Sequence, residues 1–123
     1  MKFTLDRRSD VNWIRGYGAG VLRIAEQRIT THCIVAAHTL ITDWDAPSVE
    51  ALTPEHLARV WPLEPQIVLL GTGARHRFAP SAVRASCSER GIALESMDLG
   101  AACRTYNILV QEERRVVALL FVS

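Results

Sequence analysis

The 123-residue chain has a single lysine, Lys2, against thirteen arginines. A phosphate-binding loop of the Gly-Lys-Ser/Thr type is therefore excluded, because no other residue can play its lysine. The three cysteines, Cys33, Cys87 and Cys103, are odd in number and show no CxxC spacing. They read as reduced thiols in a reducing compartment, not as a disulfide framework. His32, His38, His56 and His76 are dispersed, with no HExxH or paired Cys/His motif, so no zinc site is expected. No apolar run approaches the ~20 residues that a bilayer span requires, and none of the first eight residues forms an apolar signal core. The expectation is a cytoplasmic protein with no membrane insertion. A net charge of +1 leaves no electrostatic footprint for nucleic acid.

What remains is an ordinary globular composition, 49% hydrophobic and 22% charged. A chain of this length buries enough apolar surface to fold without a staple, and nothing in it resembles a linker. One domain over residues 1–123 is expected. Along residues 11–45, Val11 and Trp13 alternate with polar neighbours, and the short apolar runs 21–24, 33–36 and 40–44 are separated by turns. That pattern predicts an N-terminal antiparallel meander, with residues 11–15 as an edge strand and Gly16-Tyr17-Gly18-Ala19-Gly20 as a flexible turn. Thr53-Pro54-Glu55 predicts a helix start, with Leu57, Val60 and Trp61 on its apolar face and Pro62 at its end.

From residue 66 the pattern becomes strand, helix, strand, helix, strand. The run 67–70 is continuously apolar, as for a strand covered on both faces. A helix opens at Pro80-Ser81 and ends at Gly91. Residues 92–97 are the next strand, residues 101–112 a helix, and residues 116–122 the most apolar strand, placed at the sheet centre. The fold class is α/β: a three-layer single domain with a mixed sheet, the N-terminal meander and a C-terminal βαβαβ unit. Right-handed crossovers then bring the turns after strands 66–70 and 92–97 to one carboxyl edge, provided that strand 66–70 lies between the other two.

Those turns carry the candidate ligand- or partner-binding residues: Gly71, Thr72, Gly73, Arg75 and Arg77 in the first, Asp98, Cys103, Arg104 and Asn107 in the second. Glycines admit close backbone approach, arginines offer forked donors, and a helix N-terminus favours negative charge. A small anion or a carboxylate-bearing partner suits such a set. Each residue also has a structural reading: the glycines make a turn, Asp98 caps a helix, and the alanines allow close packing. Gly71-x-Gly73 is no dinucleotide fingerprint, since His76 stands where the third glycine belongs. Cys103 at a helix start, with His76 as base if the turns meet, is the candidate catalytic pair; its bland counterpart is a small buried thiol.

The stretches Gly16-Tyr17-Gly18, Leu70-Gly71-Thr72-Gly73, Arg75, Phe78 and Met97-Asp98 through Ala101-Ala102-Cys103-Arg104-Thr105-Tyr106-Asn107 together resemble the domain of unknown function 498 family, over roughly residues 11–122. The sequence departs from the family pattern at Leu99, where a small polar residue is usual, and at Ala19, where proline is common. The resemblance implies a three-layer α/β fold and no established enzymatic activity or cofactor. Its eukaryotic members, the mitochondrial complex I assembly factor 3 among them, act in respiratory-complex assembly. It therefore implies a non-enzymatic interaction module with a protein partner. A small-molecule binder or enzyme using Cys103 with His76 is the alternative.

Overall fold

The computed structural model describes residues 10–123; residues 1–9 lie outside the described residues. Its strands are β1 (Ile14–Gly18), β2 (Val21–Ile24), β3 (Gln27–Ile29), β4 (Cys33–Ala36), β5 (Thr39–Ile41), β6 (Ile67–Thr72), β7 (Ala93–Met97) and β8 (Val116–Phe121). The helices are α1 (Ser81–Glu89) and α2 (Leu99–Gln111).

Strand β8 is buried at all six positions. Its side chains alternate between two cores. Val116, Ala118 and Leu120 join Leu22, Ile24, Val35 and Tyr106 on one face, whereas Val117, Leu119 and Phe121 join Ile34, Val68, Val83 and Cys87 on the other. A strand apolar in both registers needs a layer on each side. One layer is α2 beside the small sheet β1-β2-β3; the other is α1 with the segment around residues 44–63. The large sheet has the order β5-β4-β8-β6-β7, with β6 parallel to both β7 and β8 and β4 antiparallel to β8. Strand β6 thus lies between the other two strands of the βαβαβ unit, as the crossover argument requires.

The N-terminal strands are antiparallel, but they do not form one continuous meander. They divide between two sheets. Strand β4 is buried at Cys33, Ile34 and Val35 on both faces, so it belongs beside β8, whereas β2 buries only Leu22 and Ile24. Glycine content misled the reading of residues 11–20. Strand β1 begins at Ile14 and includes Gly16, Tyr17 and Gly18, with a register irregularity between Ile14 and Gly16. The turn is confined to Ala19 and Gly20, where Gly20 has φ 73°. The helix expected after Thr53 is two 3-10 turns, Pro54–Leu57 and Trp61–Leu63. Pro62 stands in the opening positions of the second turn, where its missing N–H is tolerated, so the chain restarts there instead of continuing one helix. The Thr53 N–H donates to His56 Nδ1 at 3.0 Å.

Helix α2 is tied at its start and again at Tyr106 and Asn107. Asp98 caps its start, and its Oδ1 accepts the Ala101 N–H at 2.9 Å. Further along, the Asn107 amide meets one residue of β1 twice: Oδ1 accepts the Ile14 N–H at 3.0 Å, and Nδ2 donates to the Ile14 carbonyl at 2.8 Å. A side-chain amide here does what a neighbouring strand would do. Tyr106, fully buried, donates its hydroxyl to the Asn12 carbonyl at 2.8 Å. Replacing Asn107 with alanine strands a part-buried donor and acceptor on β1. The expected loss is about 1–3 kcal/mol, read as a lower urea midpoint with an unchanged m-value.

Candidate functional site

Two chain-distant turns meet at the carboxyl edge of β6 and β7. At the end of β6, Gly71 is a contact position: a Cβ there would lie 3.0 Å from the Ala102 Cβ and 3.0 Å from Leu120. Its lack of a side chain lets α2 approach the sheet. Thr72 has no exposure. Its hydroxyl lies 2.7 Å from the Arg75 carbonyl and 3.1 Å from that of Met97, and it accepts the Arg77 N–H at 3.0 Å. With one proton to give, the oxygen serves the nearer carbonyl, and the loop folds around it. Gly73 has φ 84°, and a Cβ on it would stand 2.8 Å from the Ser123 carbonyl oxygen. The Gly73 carbonyl in turn accepts the Leu99 N–H at 2.8 Å. That bond joins the turn after β6 to the first turn of α2.

A third stretch completes the site. The Tyr17 ring lies over Gly100, where a Cβ would be 2.9 Å from the ring. Arg104 donates through Nη1 to the Tyr17 hydroxyl. Residues 17–20, 73–74, 98–100 and 122–123 together line a cleft of about 570 Å³. Its surface is mainly backbone, small side chains, Leu99, Val122 and the Tyr17 ring. Sequence reasoning took residues 16–20 only as a turn; the signal available was that Gly16-Tyr17-Gly18 was among the stretches carrying the family resemblance.

The predicted site residues therefore divide. Gly73 and Asp98 line the cleft, and Arg104 stands beside it through Tyr17. Gly71, Thr72 and Asn107 are committed to packing and hydrogen bonds within the fold. Arg75 is exposed, and Arg77 points to Glu50 at 3.5 Å. The candidate catalytic pair is not assembled. Cys103 is buried in the core shared by α2 and the small sheet. Burial, with the neighbouring Cys33 adding to it and Arg104 opposing, pushes its thiol up to about 12. Proximity to a helix start does not offset that desolvation. His76 is exposed, 3.2 Å from Ser96 Oγ and edge-on to Phe78 at 4.6 Å. Ser96 shares its β7 face with Leu94, which packs in the opposite core. No group of three or more metal-ligating side chains occurs among the described residues.

The family model described as "Protein of unknown function (DUF498/DUF598)" matches residues 14–121. The chain belongs to the DUF498 family. It is 33% identical over 104 residues to the human protein named NADH dehydrogenase [ubiquinone] 1 alpha subcomplex assembly factor 3, a match that covers 83% of this chain and 56% of that protein. The chain thus spans about half the length of this relative. A Francisella tularensis protein named "13 kDa major membrane protein" is 26% identical over 84% of the chain and 83% of its own length. Among solved structures, a Xanthomonas campestris protein determined by NMR superposes with a TM-score of 0.84 at 36% identity, covering 98% of this chain and 92% of that one. A Bordetella pertussis protein described as a Mth938-like domain gives 0.82 at 26% identity, covering 98% of this chain and 92% of that one. A Bartonella henselae structure described as an outer membrane protein gives 0.79 at 32% identity, covering 92% of this chain and 96% of that one. Among the described residues, no helix is long and apolar enough to cross a membrane.

The Cys103 thiol is expected to resist iodoacetamide in the folded protein at pH 7 and to react at once in denaturant. Peptide mapping of the alkylated sites reads this directly. Rapid labelling of folded Cys103 would contradict its placement in the core.

Proposed function

We propose that this chain is a non-enzymatic, assembly-factor-like interaction module, and that the carboxyl-edge cleft receives an extended segment of a protein partner. The observation that supports it is the lining. Three turns far apart in sequence converge on one cleft, and the only charged side chain among the described residues that line it, Asp98, is spent on capping α2. Glycine-rich walls offer backbone amides and carbonyls to another backbone, and Leu99, Val122 and Tyr17 offer apolar contact. Arg104 beside Tyr17, and the exposed Arg75 nearby, suit an acidic residue of the partner.

Turnover is poorly served by this arrangement. Among the cleft residues there is no nucleophile paired with a base, and the Cys103 thiol is buried elsewhere. The human relative carries the name of an assembly factor. That name supports an activity exerted on other proteins, and complex I itself is not carried over to this chain. The free, buried thiols Cys33, Cys87 and Cys103 support the cytoplasm as the place where it acts.

A photo-crosslinking amino acid at Ala19 in native cells provides the test. One discrete protein adduct is expected, lost when Arg104 is changed to glutamate. The same probe at Arg114, on a separate cleft at the other end of the sheet, should not capture that protein. The reading fails if Ala19 yields no discrete adduct or if both positions yield the same set. A bound small molecule seen by native mass spectrometry, with no protein adduct, would point instead to a small anionic ligand.

A further inference from the structure

The end of β8 is held by a histidine. His32 immediately precedes β4, and its Nδ1 accepts the Val122 N–H at 3.1 Å. A ring nitrogen that accepts carries no proton, so the proton of the neutral imidazole sits on Nε2. The ring also engages the backbone of Pro47. Its face tilts against Phe121, with centroids 4.7 Å apart, and Phe121 packs on Trp44 at 5.2 Å. One imidazole thus joins the link between the sheets, the segment around residues 44–47 and the end of the central strand.

The residues it holds belong to the cleft. Val122 and Ser123 form one wall, and the Ser123 carbonyl sits so close to Gly73 that a Cβ there would be at 2.8 Å. Val122 is itself buried, although it lies one residue beyond β8.

We propose that His32 is a pH-sensitive latch on this wall: when both ring nitrogens carry protons, the Val122 N–H faces a donor, and the 122–123 segment leaves Gly73. The consequence for partner binding, which weakens as the pH falls, rests on the reading of the cleft as an interaction site. The latch itself rests on the geometry of His32.

Among the described residues, the titratable surroundings of the ring are sparse. The ring meets Phe121 at the end of β8 and Val122 just beyond it, neither of which titrates. The segment that carries Pro47 has Asp43, Asp45 and Glu50, all exposed, with Asp43 3.0 Å from Arg59 and Glu50 3.5 Å from Arg77. At the start of β4, next to the histidine in sequence, Cys33 is buried, and burial pushes its thiol up to about 12. Burial lowers the His32 pKa from the ordinary 6.5, and the Pro47 backbone contact opposes it. The unfolded chain therefore takes up the proton more readily than the folded one. The stabilisation is complete above 6.5 and is lost as the pH falls from 6.5 through the lower, folded value.

A two-dimensional NMR titration of the intact chain from about pH 8 to about pH 5 tests the latch. The His32 ring signals should titrate with a midpoint below 6.5. The amides of Val122, Ser123 and Gly73 should shift with that same midpoint, and Val122 should exchange its amide proton about tenfold faster at the acid end, after allowing for intrinsic exchange. In His32→Asn the shared transition should disappear. The latch is overturned if Val122 keeps its shift and protection while His32 titrates, or if the variant shows the same transition. Should His32→Asn not fold, the comparison of midpoints within the wild type decides. Failure of the Ala19 crosslink would leave these readouts untouched, so the two proposals stand or fall separately.

Discussion

The double-sided burial of β8 is the constraint from which the architecture follows. All six of its residues are buried. Apolar surface facing both ways must be covered both ways, at roughly 1.5–3 kcal/mol for each large side chain removed from water. One covering layer brings α1, and the other brings α2 and the small sheet. Since β6 and β7 run parallel within the same sheet, the helices that cover it start from the same edge. The site is a by-product of that geometry: the ends of β6 and β7, the first turn of α2 and the tip of the β1–β2 hairpin have nowhere else to meet.

At this edge, small residues and one hydroxyl control the approach of the chain segments. Gly71 lets α2 settle on the sheet, and Gly73 lets the Ser123 backbone lie against the loop. Thr72 replaces the backbone partners that a tight loop cannot give itself. Polar groups buried at a turn are costly unless they are paired. The Thr72 hydroxyl, the Asp98 carboxylate and the Asn107 amide each supply such a pairing, which is why so many of the polar residues in the two turns prove to be structural.

The βαβαβ half was legible because its signals are local and mutually consistent. The run 67–70, the Gly91 stop, the Asp98 cap and the apolar run 116–121 each specify an element, and handedness fixes how they join. The meeting of the two turns followed from them on the condition that β6 lies between β7 and β8, an order that the structure supplies. The N-terminal half was less legible. Its strands are three to five residues long, and nothing in a short alternating run says which of two sheets it will enter. Gly16 and Gly18 read as turn residues because strand membership there depends on pairing with β2 and on the Asn107 amide, both of which are contacts with distant residues. Cys103 looked activated because a helix start is visible in sequence, whereas the Cys33 side chain and the small sheet that bury it are not.

If the cleft takes a partner segment as proposed, the two anchors of α2 have a thermodynamic consequence. With Asp98 fixed at one end and Asn107 bonded to β1 further along, the helix side of the cleft has little conformational freedom left to lose. Ordering entropy is a major cost of association. A segment entering the cleft would therefore find most of that cost already met by folding on the helix side, and the hairpin tip, joined to α2 through Tyr17, would be the part left to order. The affinity of this site would then depend less on the area that a partner buries than on how firmly the Arg104–Tyr17 contact holds the tip before the partner arrives.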